Sequence, residues 1–283
     1  LQLWEEGRIE LDAPITTYLP EELSRHFPAA GQVTVRMLLN HTSGLPEYNQ
    51  DPYYVTTLLQ HPDRFFAPEE YLQYISGKPL RFAPGSRFAY TNTNYELLAL
   101  IADQITGDHA AYLTEKIFQP LGLTRTFYRH EDAYLTYPAL YNAYWDRYSN
   151  GIVENVSRMQ RTNVASMIGD DGLVCTPRDA VRFLRGLMEG ELLRPGTLAM
   201  MQEWVKDEDG TLRYGLGLDH TLFHGQAGYG HSGGGLGAGC ELYYLPANNT
   251  YFFLGINLGT VTASPIHRAA EPALEAIHAI LAE

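Results

Sequence analysis

Two short runs of this chain hold side chains that could do chemistry. Tyr90-Thr91-Asn92 lies in PGSRFAYTNTNYELLALIADQITG, and His231-Ser232-Gly233-Gly234 lies in GYGHSGGGLGAGCELYYLP. A tyrosine on a loop that enters a helix can be fixed in position and still face a cleft. Its phenol has a reference pKa of about 10, so it acts as a base only where a nearby cation favours the phenolate. The plainer reading of the same run is that Tyr90 packs and Asn92 caps the helix after it. In the second run, glycines ahead of a predicted strand let a substrate backbone lie against the strand edge with no Cβ in the way.

Gly230-His231-Ser232-Gly233-Gly234 also fits G-x-S-x-G, the nucleophile elbow of α/β-hydrolases. That elbow needs a strand before it, a helix after it, and an Asp or Glu followed by a His. GGGLGAGCELYYL cannot start a helix and no Asp follows, so Glu241 or Glu271 with His278 would have to serve. The elbow is therefore the weaker reading. His220 and His224, four apart, fall in strand and loop sequence with no third ligand nearby and read as surface histidines. No cofactor or metal is expected.

The elements that must position these runs are legible from caps and periodicity. Pro68 with Glu69 and Glu70 opens a helix that stops at Gly77. Residues 94–106 carry Leu97, Leu98, Ile101 and Ile105 on one face, and Gly107 ends them. Further helices are predicted over 110–118, from Thr176 to Gly190 with Asp179 as a capping residue, and over 269–282 with Pro272 in the first turn. Strand signals cluster late, at 212–218, 241–245 and 251–257, with a turn at 246–249. The division is a mainly helical region, 1–205, with the Tyr-x-Asn loop, and an antiparallel sheet with a C-terminal helix, 206–283, with the His-Ser-Gly run.

With 283 residues, 45% hydrophobic and 19% charged, the chain can bury a sizeable core. A net charge of −13 leaves no basic stripe for nucleic acid. No apolar run is long enough to span a membrane. Cys175 and Cys240 read as two buried thiols, with one bridge as the alternative. The partner expected is a small-molecule or peptide substrate.

The Tyr90 and His231 runs, with LLNHTSGLPEY around His41 and GDDGLVCTPRDAVRFL, resemble the serine β-lactamase-like family: class C β-lactamases, D-alanyl-D-alanine carboxypeptidases, D-aminopeptidases and esterases. Its site is built from S-x-x-K, Y-x-N and K-T-G or H-x-G. The resemblance extends over nearly the whole chain. It implies an α+β fold of the β-lactamase/transpeptidase type and an acyl-enzyme hydrolase acting on an amide or ester. Tyr90 would then be the general base, with the family's lysine as its cation, and Asn92 a donor to the substrate. Gly234 N–H would form half of an oxyanion hole, and His231, Ser232 and Gly233 would bind substrate. His41 would shape a loop. An imidazole at 231 is cationic only in acid unless a carboxylate raises it, so recognition of a substrate carboxylate is expected to weaken between about pH 6 and 8.

No Ser here is followed three residues later by Lys. The expectation is that the S-x-x-K pair and the family's N-terminal strands precede Leu1, and that residues 1–283 alone are inactive. The alternative is a binding homologue without a nucleophile. The motifs do not separate carboxypeptidase, aminopeptidase, esterase and β-lactamase.

Overall fold

The computed structural model describes residues 1–27, 29–129, 133–138 and 140–283. Helices begin where side chains can satisfy their first N–H groups. Thr176 accepts the Asp179 N–H at 3.2 Å and Pro177 fills the first helical position, so a helix runs Pro177–Met188. Asp179, expected to cap that start, turns its carboxylate instead to the Arg125 N–H at 2.8 Å and the Thr126 hydroxyl at 3.1 Å. The helix after the Tyr-x-Asn run spans Thr93–Thr106, buries Leu97, Leu100 and Ile101, and ends at Gly107 with φ +83°. The helix opened by Pro68 is shorter than predicted, Pro68–Gln73. The one predicted over 110–118 starts at His109 with Asp108 as its cap, then widens into a π turn over Thr114–Phe118.

The C-terminal helix spans Pro265–Leu281, capped by Ser264, so Pro272 sits inside it and not in its first turn. An interior proline costs about 3 kcal/mol. The helix persists because it is anchored to the sheet. Leu281 packs on Phe223, Tyr243, Leu245 and Phe252, and His278 Nε2 meets Glu241 Oε2 at 2.7 Å.

β1 (Thr126–Tyr128), β2 (Tyr144–Trp145), β3 (Glu154–Asn155) and β4 (Leu173–Cys175) form two small antiparallel ladders, β1 with β4 and β2 with β3. A six-stranded antiparallel sheet follows from β5 (Val205–Lys206), β6 (Leu212–Tyr214), β7 (Asp219–Phe223), β8 (Gln226–Gly234), β9 (Gly239–Leu245) and β10 (Thr250–Ile256), in the spatial order β10-β9-β8-β7-β6-β5. The predicted strand 212–218 breaks after Tyr214, where the Gly215 N–H bonds the Leu218 carbonyl at 2.8 Å and reverses the chain into β7. Side chains alternate across β9. Tyr243 and Leu245 join the cluster under the C-terminal helix, while the other face of β9 and β10 receives the helix Pro177–Met188.

One core ties the helical region to this sheet: Leu38, Leu97, Ile101 and Trp145 are buried in the same cluster as Leu216 and Leu236. Both cysteines are free, Cys175 exposed and Cys240 half-buried, which corrects the expectation of two buried thiols. Cys175 ends an edge strand whose Leu173 also faces outward. Among the described residues no helix is long and apolar enough to cross a membrane.

Candidate active site

The segment His41-Thr42-Ser43-Gly44-Leu45-Pro46 is bonded directly to the Tyr90–Asn94 loop. His41 Nδ1 accepts from the Thr91 N–H at 3.3 Å and from Asn94 Nδ2 at 3.1 Å. The Ser43 hydroxyl donates to Asn94 Oδ1 at 2.7 Å, and the Thr93 hydroxyl donates to the Pro46 carbonyl at 2.8 Å. Glu47 Oε2 takes the Asn92 N–H at 2.6 Å. Asn92 stands at the helix N-cap position with no side-chain cap bond, so its amide is not spent on the helix. Ser43 is wholly buried and committed to Asn94, which removes it as a nucleophile.

Tyr90 rests on the His41 ring at a centroid distance of 4.1 Å and stands 6.0 Å from the His231 ring and 5.9 Å from Tyr214. The helical loop and the sheet strand thus face each other across a cleft, with Tyr90 42% exposed at its wall. Tyr214, which sequence reasoning did not single out, joins the two sides: its hydroxyl lies 2.9 Å from His231 Nε2, and its ring packs edge-on against His41 at 4.5 Å. His231 Nδ1 lies 2.5 Å from the Ser232 carbonyl oxygen, a pure acceptor, so Nδ1 carries a hydrogen. In that tautomer Nε2 accepts a hydrogen bond from the Tyr214 hydroxyl. Both ring nitrogens are engaged, and a substrate carboxylate can reach His231 Nε2 only in place of the Tyr214 hydroxyl.

β8 pairs with β9 in the register His231↔Leu242, Ser232↔Glu241, Gly233↔Cys240 and Gly234↔Gly239. Its pairing with β7 stops at Gly230↔Asp219, so among the described residues no strand pairs with the other edge of 231–234. An extended substrate could lie there. Strand alternation puts His231 on the Tyr90 side and turns the Ser232 side chain to the opposite face, beside Tyr243. At Ser232 it is therefore the backbone, and not the side chain, that lies along the cleft. The two glycines also have a reason beyond substrate clearance. A Cβ at Gly234 would lie 2.1 Å from Thr260 Oγ1, and one at Gly233 2.9 Å from Cys240 Sγ. Cavities of about 180 and 350 Å³ both abut Phe127 and include none of these residues. The cleft is open and strand-edged.

The electrostatics decide what Tyr90 can do. Burial pushes its phenol up, and the carboxyls of Asp170, Glu47, Asp171 and Asp219 push it further the same way. Within these residues Tyr90 is a neutral phenol at pH 7. It becomes a base only with a cation beside it. His41 is held neutral: burial brings it down to about 3, with His231 adding to the effect. His41 therefore holds the loop and does not transfer protons. Glu47 is raised by burial, opposed by the N–H groups of Asn92, Asn49 and Tyr48.

His220 packs on Trp204 and Tyr229, and His224 on the Glu275 carbonyl, so they do not converge on one point. Tyr214 and Glu47 were invisible in the sequence for one reason. Tyr214 reaches His231 across an intervening strand, and Glu47 reaches Asn92 across 45 residues.

The chain is similar to known proteins in sequence and in fold. The chain is 25% identical over 193 residues to the penicillin-binding protein PbpX of Bacillus subtilis, an alignment covering 68% of this chain and 43% of that one. It is 33% identical over 138 residues to a protein named as a D-alanyl-D-alanine carboxypeptidase in Escherichia coli, covering 45% and 30%. The chain thus spans less than half the length of these curated relatives. A D-stereospecific amidohydrolase from Streptomyces superposes with a TM-score of 0.81 at 27% identity, over 91% of this chain and 77% of its own. The Beta-lactamase family model matches residues 1–276, essentially end to end, and on that match the chain belongs to the β-lactamase family.

Proposed function

We propose that these residues form two of the three parts of a serine-hydrolase site that cleaves an amide or ester through an acyl-enzyme. The third part, the S-x-x-K serine and lysine, is contributed by a segment preceding Leu1. The observation that carries this reading is the placement of Tyr90 opposite His231 beside the free edge of 231–234, where the foremost charges acting on it are carboxyls. A lysine ammonium there would offset that field and favour the phenolate.

The chemistry then runs in two halves. Tyr90 takes the serine proton as Oγ attacks the substrate carbonyl. The oxyanion is held by the Gly234 N–H and the serine's own N–H, each such donor worth about 3–4 kcal/mol in the transition state. Collapse expels the amine or alcohol, which leaves with the proton from Tyr90, and water repeats the sequence on the acyl-enzyme. Asn92 orients the substrate carbonyl side. Among substrates, a D-amino acid amide or peptide is favoured, since the Streptomyces neighbour is a D-stereospecific amidohydrolase and a carboxylate must displace Tyr214 to reach His231.

The full-length protein, assayed with D-amino acid amides, D-Ala-D-Ala peptides, p-nitrophenyl esters and nitrocefin, should turn over at least one. A fluorophosphonate should label it on the upstream serine and leave residues 1–283 alone unlabelled. Labelling at Ser232 would overturn the assignment. Ligand binding with neither turnover nor labelling would mark the chain as a binding homologue.

A further inference from the structure

Behind the Tyr90 loop lies a group of buried carboxyls that the reaction above does not use. Glu96, one helical turn past Asn92, is wholly buried, and its carboxyl is within hydrogen-bonding reach of Asp170. Asp170 belongs to the turn 168–172, which presses on the same helix: a Cβ at Gly169 would lie 2.2 Å from the Tyr95 carbonyl oxygen. The Tyr48 hydroxyl donates to Asp170 Oδ2 at 2.5 Å. Among the described residues, Asp170 Oδ1 and both oxygens of Glu96 have no hydrogen-bond partner of ordinary geometry, although the Ile168 N–H is near enough to favour charge on Glu96.

Two carboxyl groups that face each other offer only acceptors, and a buried acceptor pair without a donor is unfavourable. A single proton between them converts the contact into a charge-assisted O–H···O bond. The surroundings enforce that proton. The phenols Tyr54, Tyr71 and Tyr128 and the carboxyls Glu47, Glu69 and Asp171 surround the pair, and the cation beside Tyr128, Arg129, is paired with Asp103. Burial raises both members, Asp170 to about 7 and Glu96 well above its usual range.

We propose that Glu96 and Asp170 share one proton, and that this proton-bridged pair clamps the helix Thr93–Thr106 to the turn 168–172, making both positioning residues for the Tyr90–Asn92 loop. The link to the loop is short. Tyr48 donates its N–H to the Thr93 hydroxyl at 3.2 Å and its own hydroxyl to Asp170. Asp170 is also the foremost charge acting on Tyr90, so the shared proton limits the negative field at that phenol. The clamp itself does not depend on the proposed hydrolysis; its bearing on Tyr90 as a base does.

Infrared spectroscopy of the full-length protein tests it directly. At neutral pH the wild type should show the C=O stretch of a protonated carboxylic acid, and Glu96→Gln and Asp170→Asn should each lose it. Because the folded state retains a proton that the unfolded chain releases, stability should fall as pH rises above about 4 and go on falling through neutrality. That slope is up to one proton, a tenfold change in the unfolding constant per pH unit. Glu96→Gln supplies a permanent amide donor to Asp170, so it should fold and flatten this slope, and in an active protein it should move the alkaline limb of kcat/KM. No protonated band in the wild type, or a slope unchanged in Glu96→Gln, overturns the proposal. The band and slope as expected in a protein inert to every substrate and probe would uphold the clamp and reject the hydrolase reading.

Discussion

Tyr90→Phe separates chemistry from architecture more cleanly than any other change at this site. The Tyr90 hydroxyl has no hydrogen-bond partner among the described residues, while the ring makes contacts at 4.1 Å to His41 and about 6 Å to Tyr214 and His231. Phenylalanine keeps the ring and strands no partner, so stability should change by less than about 0.5 kcal/mol and the melting temperature by about 2 °C or less. If the hydroxyl is the general base, acylation should fall by about 10²–10⁴-fold. At about 1.4 kcal/mol per tenfold, that is roughly 3–5 kcal/mol of transition-state stabilisation, several times the structural effect. The assay is kcat/KM of the full-length variant on its best substrate, with thermal unfolding in parallel. A variant that retains more than half the wild-type rate refutes Tyr90 as the base. A matching loss of stability would show that the hydroxyl acts through the fold.

Other positions test the frame around it. His41→Ala strands the Thr91 N–H and the Asn94 amide and empties a ring-sized space, so denaturant titration should show a loss of about 3–5 kcal/mol. His41 stays neutral to about pH 3 when folded but titrates in its ordinary range when unfolded. The stability it confers is complete above about pH 6.5 and drains away as pH falls towards 3, and His41→Gln should flatten that acid limb in urea titrations. Gly234→Ala drives a Cβ onto Thr260 Oγ1 and should cost about 1–3 kcal/mol, most of it restored by Thr260→Ala in a double-mutant cycle. Asp103 is raised by burial, but hydrogen bonds from His109 and Arg129 outweigh this and hold its carboxyl at about 2. Asp103→Asn should cost about 2–3 kcal/mol near neutrality, a difference that shrinks as pH falls from about 4 through 2.

Local chemistry carried much of the fold into the sequence. A proline at the first helical position and a glycine past the last one announce helices without reference to anything distant, and Thr176-Pro177 and Gly107 behave accordingly. The hairpin from β9 to β10 was legible because PANN bounds two apolar runs. Where the reading failed, a distant contact outweighed a local preference. Pro272 sits inside a helix because Leu281 and His278 anchor that helix to the sheet. The run 212–218 divides because Gly215 must turn the chain into β7.

The candidate site divides the same way. The sequence alone named Tyr90, Asn92, His231 and Gly234, since each lies in a short run with its own recognisable spacing. Which way each side chain points was settled by register. A strand's alternation is read against its partner, so only the pairing of β8 with β9 separates His231 from Ser232. The groups that tune the site reach it from 17 to more than 100 residues away: Tyr214 on His231, Glu47 on Asn92, and Tyr48 through Asp170 on the helix that carries Glu96. Hydrogen bonds and desolvation act through space, and no one-dimensional pattern records a contact that the chain makes only once it has folded.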